Sequence, residues 1–357
     1  MGSGGSPRRR HGFGIAGAGG IAALPAEAIA MLPAARLVAV TDVAPESARA
    51  FAETHGCAAE PDLSALLARP DIDVVSVCVP TSAWRPLGTH LVIEKPIDTT
   101  LAAADRLIGA ARAAGVVMTV VSQHRFDPGL AELRRLLDAG ALGRLVLGEA
   151  STKWYRSQAY YDSAAWRGTW ALDGGSLMNQ GIHYVDLLLW AMGPAAEVTA
   201  LTATQAHEVE VEDVALALLR FCSGAVGTIV ASTAVFPGFA QRLEITGTGG
   251  TVVIEDGQIV RRDISGEESG SAAPGGTAGQ GGSEAAANPA GLAPVSHAAQ
   301  IADLLGAIDA GRQPSVTAES GRAALEVVCA VYQSAREGRT IALPTTAGGA
   351  RGGAGMR

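Results

Sequence analysis

The sequence is poor in cysteine, in aromatic residues and in charge. Of its 357 residues, four are cysteines, 4% are aromatic and 17% are charged. The cysteines, Cys57, Cys78, Cys222 and Cys329, lie far apart and form no CxxC pair, which argues against a zinc knuckle and against a dense disulfide scaffold. We therefore expect no metal site, and buried thiols in a reducing compartment, the cytoplasm.

The sequence also lacks a basic excess and a convincing membrane span. A formal net charge of -8, with 27 lysines and arginines, argues against a nucleic-acid binder, which would normally carry a basic stripe. The uncharged run 221–241 contains glycines and a proline, and strands explain it better than a membrane helix. The start, SPRRRHGFGIAGAGG, superficially resembles a twin-arginine export signal, but its apolar part is needed for a first strand and turn. We expect a small-molecule partner.

The length and the apolar content indicate two globular domains. Apolar residues make up 48% of the chain, which is enough for a large core, and 357 residues suggest two domains of ordinary size. We place a dinucleotide-binding domain at 11–124 and a substrate-binding and oligomerisation domain at 125–344. A Gly-, Ser- and Ala-rich composition predicts a flexible insert at about 265–293. The tails, 1–10 and 345–357, are expected to be disordered.

The first domain opens with a strand, a glycine turn and a helix. The letters G-A-G-G-I-A follow a short apolar strand and begin the helix. Gly17 allows the tight turn, Gly19 lets the backbone approach a pyrophosphate, and Ala22 permits close helix packing, with the helix N-terminus facing the phosphates. The next strand closes on Asp42, about 20 residues on, where a carboxylate accepts hydrogen bonds from ribose hydroxyls and repels a 2'-phosphate. NAD is therefore favoured over NADP.

Further βα units continue this pattern. Helices around 45–54 and 63–68 precede the strands DVVSVCV and HLVIEKP, whose β-branched runs suit a parallel sheet buried on both faces. The fold class is α/β, with a doubly wound, Rossmann-type sheet. The connection 80–89 has only ten residues, which extended reach roughly 33 to 36 Å but leave no room for a crossover helix. We expect apolar side chains on one sheet face to be exposed there.

Motifs spread along the chain carry a family resemblance. They are the glycine turn, Glu94-Lys95-Pro96 at a strand end, RFDP at 125–128, the G-x-H-x-x-D around His183, and the closing GRAALEVVCAVYQSAREGRTIALP. Together they resemble the Gfo/Idh/MocA oxidoreductases, NAD(P)-dependent enzymes that act on sugars, cyclitols and related alcohols. The resemblance covers 11–344. Relatives place a crossover helix, usually with a histidine near the nicotinamide, where this chain has the short connection.

The resemblance implies which residues perform the chemistry. Lys95 and His183 would lie near the substrate carbon that exchanges hydride with the nicotinamide. A histidine is suited to accept the hydroxyl proton near neutral pH, and a lysine ammonium stabilises charge developing on the same oxygen. Asn179, where many relatives carry aspartate, can bind a hydroxyl but cannot act as a base. Asp186 either orients the imidazole or caps local structure. The predicted cofactor contacts are Gly17, Gly19, Gly20, Ile21, Ala22, Asp42, Pro80, Thr81, Glu94 and Lys95.

The stretch DGGSLMNQGIHYVDLLLW, residues 173–190, places three polar residues among leucines on a predicted helix. Asn179, His183 and Asp186 are spaced by four and three, so on an α-helix they would share one face. We interpret this face as the wall opposite the nicotinamide.

An aromatic segment is the second candidate for substrate binding. KWYRSQAYYDSAAWRGTW holds three of the five tryptophans and three of the five tyrosines. Aromatic faces pack on the C–H faces of sugar rings, while Arg156, Arg167 and Gln158 can bind hydroxyls or a carboxylate. An aromatic core patch or a subunit contact is the alternative. The predicted substrate contacts are Gln123, Arg125, Trp154, Tyr155, Arg156, Trp166, Arg167, Asn179 and His183.

The rest of the second domain predicts an α/β domain with an open, mostly antiparallel sheet. VALALLRF and AVGTIVAST form a hairpin, and RLEIT with GTVVIED adds two strands. Helices at 297–310 and about 319–336 follow. The family resemblance implies a homodimer or homotetramer formed through this sheet, and a dehydrogenase of a sugar or sugar derivative, uronic acids and cyclitols included. A non-catalytic NAD- or sugar-binding regulator and an NAD-dependent glycosidase are the alternatives.

Overall fold

The computed structural model describes residues 10–79, 88–266 and 294–344. Most of both predicted tails, of the flexible insert and of the connection 80–89, Pro80 and Thr81 included, lies outside these ranges. The chain forms two compact units, the first from Met1–Ala131 with Asn288–Leu325 and the second from Glu132–Ala287 with Glu326–Arg357. Within the described ranges, no helix is both long and apolar enough to span a bilayer.

The helices occur throughout both units. In chain order they are α1 (Ala23–Ala30), α2 (Pro45–His55), α3 (Leu63–Leu67), α4 (Leu101–Ala113), a 3-10 turn (Gln123–Phe126), α5 (Pro128–Asp138), α6 (Gln158–Asp162), a π-helical turn (Leu177–Gly181), α7 (Ile182–Met192), α8 (Val295–Ala310) and α9 (Ala318–Glu337).

Local sequence signals determine several helix starts. Pro45 occupies the first turn of α2, where its missing N–H costs nothing. Asp62 caps α3 by accepting a hydrogen bond from the backbone N–H of Ala65 at 2.8 Å. Thr100 caps α4 in the same way, with its hydroxyl 3.3 Å from the backbone nitrogen of Ala103.

The first unit contains a parallel sheet with the strand order β3-β2-β1-β4-β5-β6 among its described residues. Its strands are β1 (His11–Ala16), β2 (Ala35–Thr41), β3 (Ala58–Ala59), β4 (Val74–Val77), β5 (His90–Ile93) and β6 (Met118–Val120). All adjacent pairs run parallel. The order reverses between β1 and β4, which is the switch point where doubly wound sheets bind ligands. The predicted Rossmann-type sheet is confirmed.

The expectation of an exposed sheet face beside the short connection is wrong. β4 and β5 pair in parallel from Val74 opposite His90 to Val77 opposite Ile93, and all residues of the two strands are buried except the half-buried His90. Val74 and Val92 belong to a core that also contains residues of α1 and α8. The face is covered because α8, from more than 200 residues further along the chain, packs on this sheet.

The second unit contains a larger open sheet, with the order β13-β12-β11-β7-β10-β9-β8-β14 among the described residues. Its strands are β7 (Leu145–Lys153), β8 (Ala195–Ala203), β9 (Val214–Phe221), β10 (Val226–Ser232), β11 (Arg242–Gly247), β12 (Gly250–Glu255), β13 (Gln258–Ile264) and β14 (Ile341–Ala342). Neighbours pair antiparallel except β7 and β10, which run parallel. The predicted mostly antiparallel sheet is confirmed.

The two faces of this sheet have different character. Residues of β9 alternate strictly between buried and exposed, as expected for a sheet with one face in the core. α7 packs against β7 and β11 on the core face. The opposite face exposes a row of apolar side chains, which we call the outer patch: Leu201, Leu216, Leu218 and Val226.

Candidate functional site

The glycine turn lies at the carboxyl end of β1. Gly17 has φ of 99°, and a Cβ there would lie 2.6 Å from a methyl group of Val79 and 3.0 Å from the carbonyl oxygen of Cys78. Only glycine therefore fits at this position. A Cβ on Gly19 or Gly20 would meet nothing within 4 Å, so the turn is open on that side.

The helix after the turn begins without a side-chain cap. α1 has Ala22 at its N-cap position, and an alanine side chain has no acceptor for the first N–H groups of the helix. Ala22 is fully buried, as predicted for close packing of the helix on the sheet, whereas Ile21 is 38% exposed. An uncapped N-terminus beside an open glycine turn suits a phosphate group.

Asp42 follows β2, and its carboxylate forms a hydrogen bond to the backbone of the glycine turn. One carboxylate oxygen accepts a hydrogen bond from the backbone N–H of Ala18 at 2.7 Å, and the other accepts one from Ala44 at 2.9 Å. The side chain is only half-buried. Each carboxylate oxygen has two lone pairs, so acceptor capacity for ribose hydroxyls remains. The turn, the helix start and this carboxylate together fit a dinucleotide.

Glu94, Lys95 and Pro96 directly follow β5, at the same carboxyl edge of the sheet as the glycine turn. The backbone N–H of Glu94 donates to the carbonyl of Val77 at 3.0 Å, which extends the pairing of β5 with β4. One carboxylate oxygen of Glu94 lies 3.9 Å from Nε2 of His297, which is 4% exposed on α8. No feature of the sequence indicated this buried histidine beside Glu94.

Two predicted substrate residues of the first unit follow β6, at the same edge. Gln123 and Arg125 lie in the 3-10 turn, with Gln123 buried and Arg125 half-buried. His124, between them, interacts with Asp127 at 2.8 Å. The edge thus brings together Asp42, Lys95 and this turn on one sheet.

The segment that carries Asn179 and His183 departs from the predicted regular helix. Residues 177–181 form π-helical turns, and the α-helix begins only at Ile182. π-helical turns are rare and often occur at functional sites. His183 is half-buried and Asp186 is 3% exposed. The α-helical geometry assumed for the spacing of Asn179, His183 and Asp186 therefore does not hold at Asn179.

Asn179 is oriented by a neighbouring aspartate. Its side-chain amide donates a hydrogen bond to one carboxylate oxygen of Asp173, whose other oxygen accepts from the backbone N–H of Gly168 at 2.7 Å. Asp173 is buried, so this hydrogen bond fixes the orientation of the Asn179 amide. Sequence reasoning gave Asp173 no role, although it opens the quoted DGGS stretch.

The aromatic segment forms a stack of rings and guanidinium groups. Arg156 and Arg167 both lie over the Tyr160 ring, at 5.4 Å and 4.1 Å from guanidinium carbon to ring centroid. Arg156 also lies over Trp154 at 4.9 Å, and Arg167 over Trp166 at 4.6 Å. Burial lowers the pKa of Arg156, with the nearby charge of Arg167 acting in the same direction.

The alternative interpretation of the aromatic segment, a core patch, fits Trp154, which is 9% exposed, but not Trp166, which is 41% exposed.

A cavity of about 460 Å³ adjoins this stack. Arg167 is the predicted substrate residue that lines it, together with Tyr161, Thr169 and the carboxylates of Glu208 and Glu210. The predicted residue Tyr155 instead meets Phe236 edge to face at 5.2 Å.

Comparison with known proteins establishes the family. A family model described as "Oxidoreductase family, NAD-binding Rossmann fold" matches residues 11–122, and the GFO/IDH/MocA C-terminal domain matches 130–253. An inositol 2-dehydrogenase of Acidothermus cellulolyticus is 30% identical over 72% of this chain and 76% of its own. The chain belongs to the Gfo/Idh/MocA oxidoreductase family. Its first unit therefore contains the NAD-binding domain of that family.

Two further relatives of this Gfo/Idh/MocA protein match over nearly the whole chain. A myo-inositol 2-dehydrogenase of Thermotoga maritima is 26% identical over 94% of this chain and 99% of its own. The WlbA dehydrogenase of Bordetella pertussis, solved with NADH and UDP-GlcNAcA, is 30% identical, with a TM-score of 0.82 over 94% of this chain and 98% of that one.

Proposed function

We propose that this protein is an NAD-dependent dehydrogenase of a ring alcohol on a sugar or cyclitol. The single observation that carries the proposal is the carboxyl edge of the sheet in the first unit. There a glycine turn open to a phosphate follows β1, the Asp42 carboxylate that would bind the ribose follows β2, and Lys95 follows β5. The relatives named for inositol and the relative solved with a uronic acid nucleotide sugar support this substrate class.

The cofactor-binding residues of the proposal follow from the turn. Gly17, Gly19, Gly20, Ile21 and Ala22 would hold the pyrophosphate at the start of α1, and Asp42 the adenosine ribose. Bound NAD supplies the nicotinamide carbon that accepts the hydride.

The chain's own residues perform the proton chemistry in this proposal. His183 accepts the proton of the substrate hydroxyl, since hydride leaves a carbinol only if that proton leaves too. The ammonium of Lys95 donates a hydrogen bond to the same oxygen and stabilises its developing charge. Asn179, held by Asp173, orients a neighbouring hydroxyl.

We further propose that the substrate carries an acidic group. Arg156 and Arg167 place two guanidinium groups over one aromatic ring, and guanidinium groups bind carboxylates or phosphates in a bidentate manner. The relative solved with UDP-GlcNAcA supports an acidic sugar over a neutral one.

The test is NADH formation with a panel of cyclitols, neutral sugars, uronic acids and nucleotide-linked uronic acids. Turnover of at least one ring alcohol with NAD is expected, with acidic substrates preferred. Tight NADH binding without turnover on the panel would instead indicate a regulator. Release of p-nitrophenol from aryl glycosides without net NADH would indicate an NAD-dependent glycosidase.

We also propose that the outer patch is a contact between copies of this chain, in a homodimer or homotetramer. Leu201 and Leu216 are paired across β8 and β9, and Leu201 and Leu218 are 72% and 63% exposed. Apolar side chains that are contiguous on one sheet face mark an interaction surface.

Leu218→Glu is expected to dissociate the oligomer, because it places a charge inside an apolar contact. Sedimentation velocity at several protein concentrations measures the change. Val43→Glu is the matched control, since Val43 is fully exposed in the first unit, away from the outer patch. A monomeric wild type, or an unchanged oligomer in the Leu218 variant, would contradict this assignment.

A further inference from the structure

The start of the helix that carries Asn179 and His183 is capped from outside the helix. The first N–H groups of a helix have no partner within it, and the residue at the N-cap position, Ser176, makes no side-chain cap. The backbone N–H of Ser176 instead donates to the carbonyl of Glu212 at 3.0 Å. The next N–H, of Leu177, donates to the Glu212 carboxylate at 2.8 Å.

A tyrosine completes this cap. The N–H of Met178 donates to the hydroxyl oxygen of Tyr332 on α9 at 3.2 Å, and that hydroxyl lies 3.2 Å from the same oxygen of Glu212. Three consecutive N–H groups, of Ser176, Leu177 and Met178, are thus satisfied by two residues from other elements of the same unit. The Ser176 hydroxyl adds a fourth contact to Glu212 at 3.3 Å.

The Glu212 carboxylate lies so close to the backbone of residue 175 that this position has no room for a side chain. A Cβ on Gly175 would lie 1.3 Å from Oε2 of Glu212, which explains the glycine before the helix. Glu212 is 3% exposed, and its buried Oε2 has no hydrogen-bond partner among the residues that the structure describes. An ionisable group in such surroundings costs free energy of folding, so a functional benefit is expected where it is kept.

We propose that Glu212, with Tyr332, is a positioning residue that fixes the π-helical turn and thereby places Asn179 and His183 for the reaction. This inference rests on the proposed dehydrogenase function for its kinetic part. Glu212 touches neither residue directly in the contacts described above, and it acts through the backbone of 176–178.

The electrostatics agree with this geometry. Burial raises the pKa of Glu212 to about 7, although the hydrogen bonds from Leu177, Tyr332 and Ser176 lower it. Burial and the neighbouring carboxylate raise the pKa of Tyr332, which keeps the phenol protonated. Because the folded pKa of Glu212 exceeds the unfolded value, its contribution to stability is fully present below about 4.5 and is lost as pH rises through about 7.

The variants are Glu212→Ala, Glu212→Gln and Tyr332→Phe. Glu212→Ala is expected to lower kcat on the order of 10²-fold, the usual effect of a small displacement of reacting groups, with KM for NAD unchanged. Glu212→Gln keeps a carbonyl acceptor for Leu177 and should recover most of kcat. Its thermal midpoint should also rise relative to the wild type between pH 4.5 and 7, because glutamine does not titrate.

Amide hydrogen exchange of the peptide 173–185 tests the cap independently of substrate. Faster exchange there in Glu212→Ala and Tyr332→Phe supports the proposal even if no alcohol on the panel is oxidised, in which case only the proposed function fails. Ser334→Ala is the matched control, because this buried hydroxyl on the same helix, α9, accepts instead from Ala200 on β8. If the Glu212 and Tyr332 variants showed wild-type amide exchange in 173–185 together with wild-type kcat, the proposal that Glu212 and Tyr332 position the π-helical turn would be overturned.

Discussion

His183→Ala is expected to lower kcat by about 10² to 10⁴-fold, the usual contribution of a positioned general base. Lys95→Ala is expected to cost about 10² to 10³-fold, as loss of a donor to a developing oxyanion does. NADH affinity by calorimetry should change little in the histidine variant, since the proposed role of His183 is to accept the substrate proton and not to hold the cofactor.

Lysine chemistry offers a direct control, because the sequence contains only two lysines, Lys95 and Lys153. Lys153→Ala should retain wild-type kcat, since Lys153 is an exposed residue of β7 that lies over Phe239. Reductive methylation followed by mass spectrometry should show that NADH with substrate protects Lys95 and leaves Lys153 unaffected.

A double variant tests whether the two residues act on one reacting oxygen. Residues that act as a unit give a double variant about as slow as the slower single variant. Fully multiplicative losses would show that Lys95 and His183 act independently, and wild-type rates in either single variant would contradict the assigned role.

The parts of the fold that sequence could predict are those determined by neighbours along the chain. The strand before Gly17, the glycine that must adopt a positive φ, and Asp42 at the end of β2 are all specified within about 30 residues of local pattern. The same holds for the position of Lys95 after a β-branched strand. Periodicity was therefore sufficient to place these groups at one edge of a parallel sheet.

The parts that sequence could not predict depend on contacts between distant segments. α8 covers the sheet beside β4 and β5 and brings His297 to Glu94, yet nothing in residues 295–310 specifies where that helix packs. The π-helical start of the helix bearing Asn179 depends on Glu212 and Tyr332, 35 and 154 residues away from their partners. A hydrophobic pattern specifies that a helix is buried, but not which polar groups complete its ends.

The geometry around Asp42 also leads to a prediction with a large effect on cofactor choice. Asp42→Ala removes acceptors for the N–H groups of Ala18 and Ala44 as well as for the ribose. Hydrogen bonds to a charged group contribute about 1.5 to 3 kcal/mol each, and about 1.4 kcal/mol corresponds to tenfold in affinity. KM for NAD is therefore expected to rise by at least about tenfold.

The Asp42→Asn variant distinguishes the effect of the carboxylate charge on cofactor choice from its effect on the geometry of the glycine turn. Asparagine keeps one acceptor oxygen but no longer repels a 2'-phosphate, so the ratio of kcat/KM for NADP to that for NAD should increase even where the turn is retained. Asp62→Ala is the matched control, because Asp62 also accepts a backbone hydrogen bond, from Ala65, but caps α3 rather than the glycine turn. That variant should lose stability, by about 0.5 to 2 kcal/mol, without a change in cofactor preference. If Asp42→Asn left the cofactor ratio at the wild-type value, the carboxylate would serve only to hold the turn, and selection of NAD would have to arise from other residues at this sheet edge.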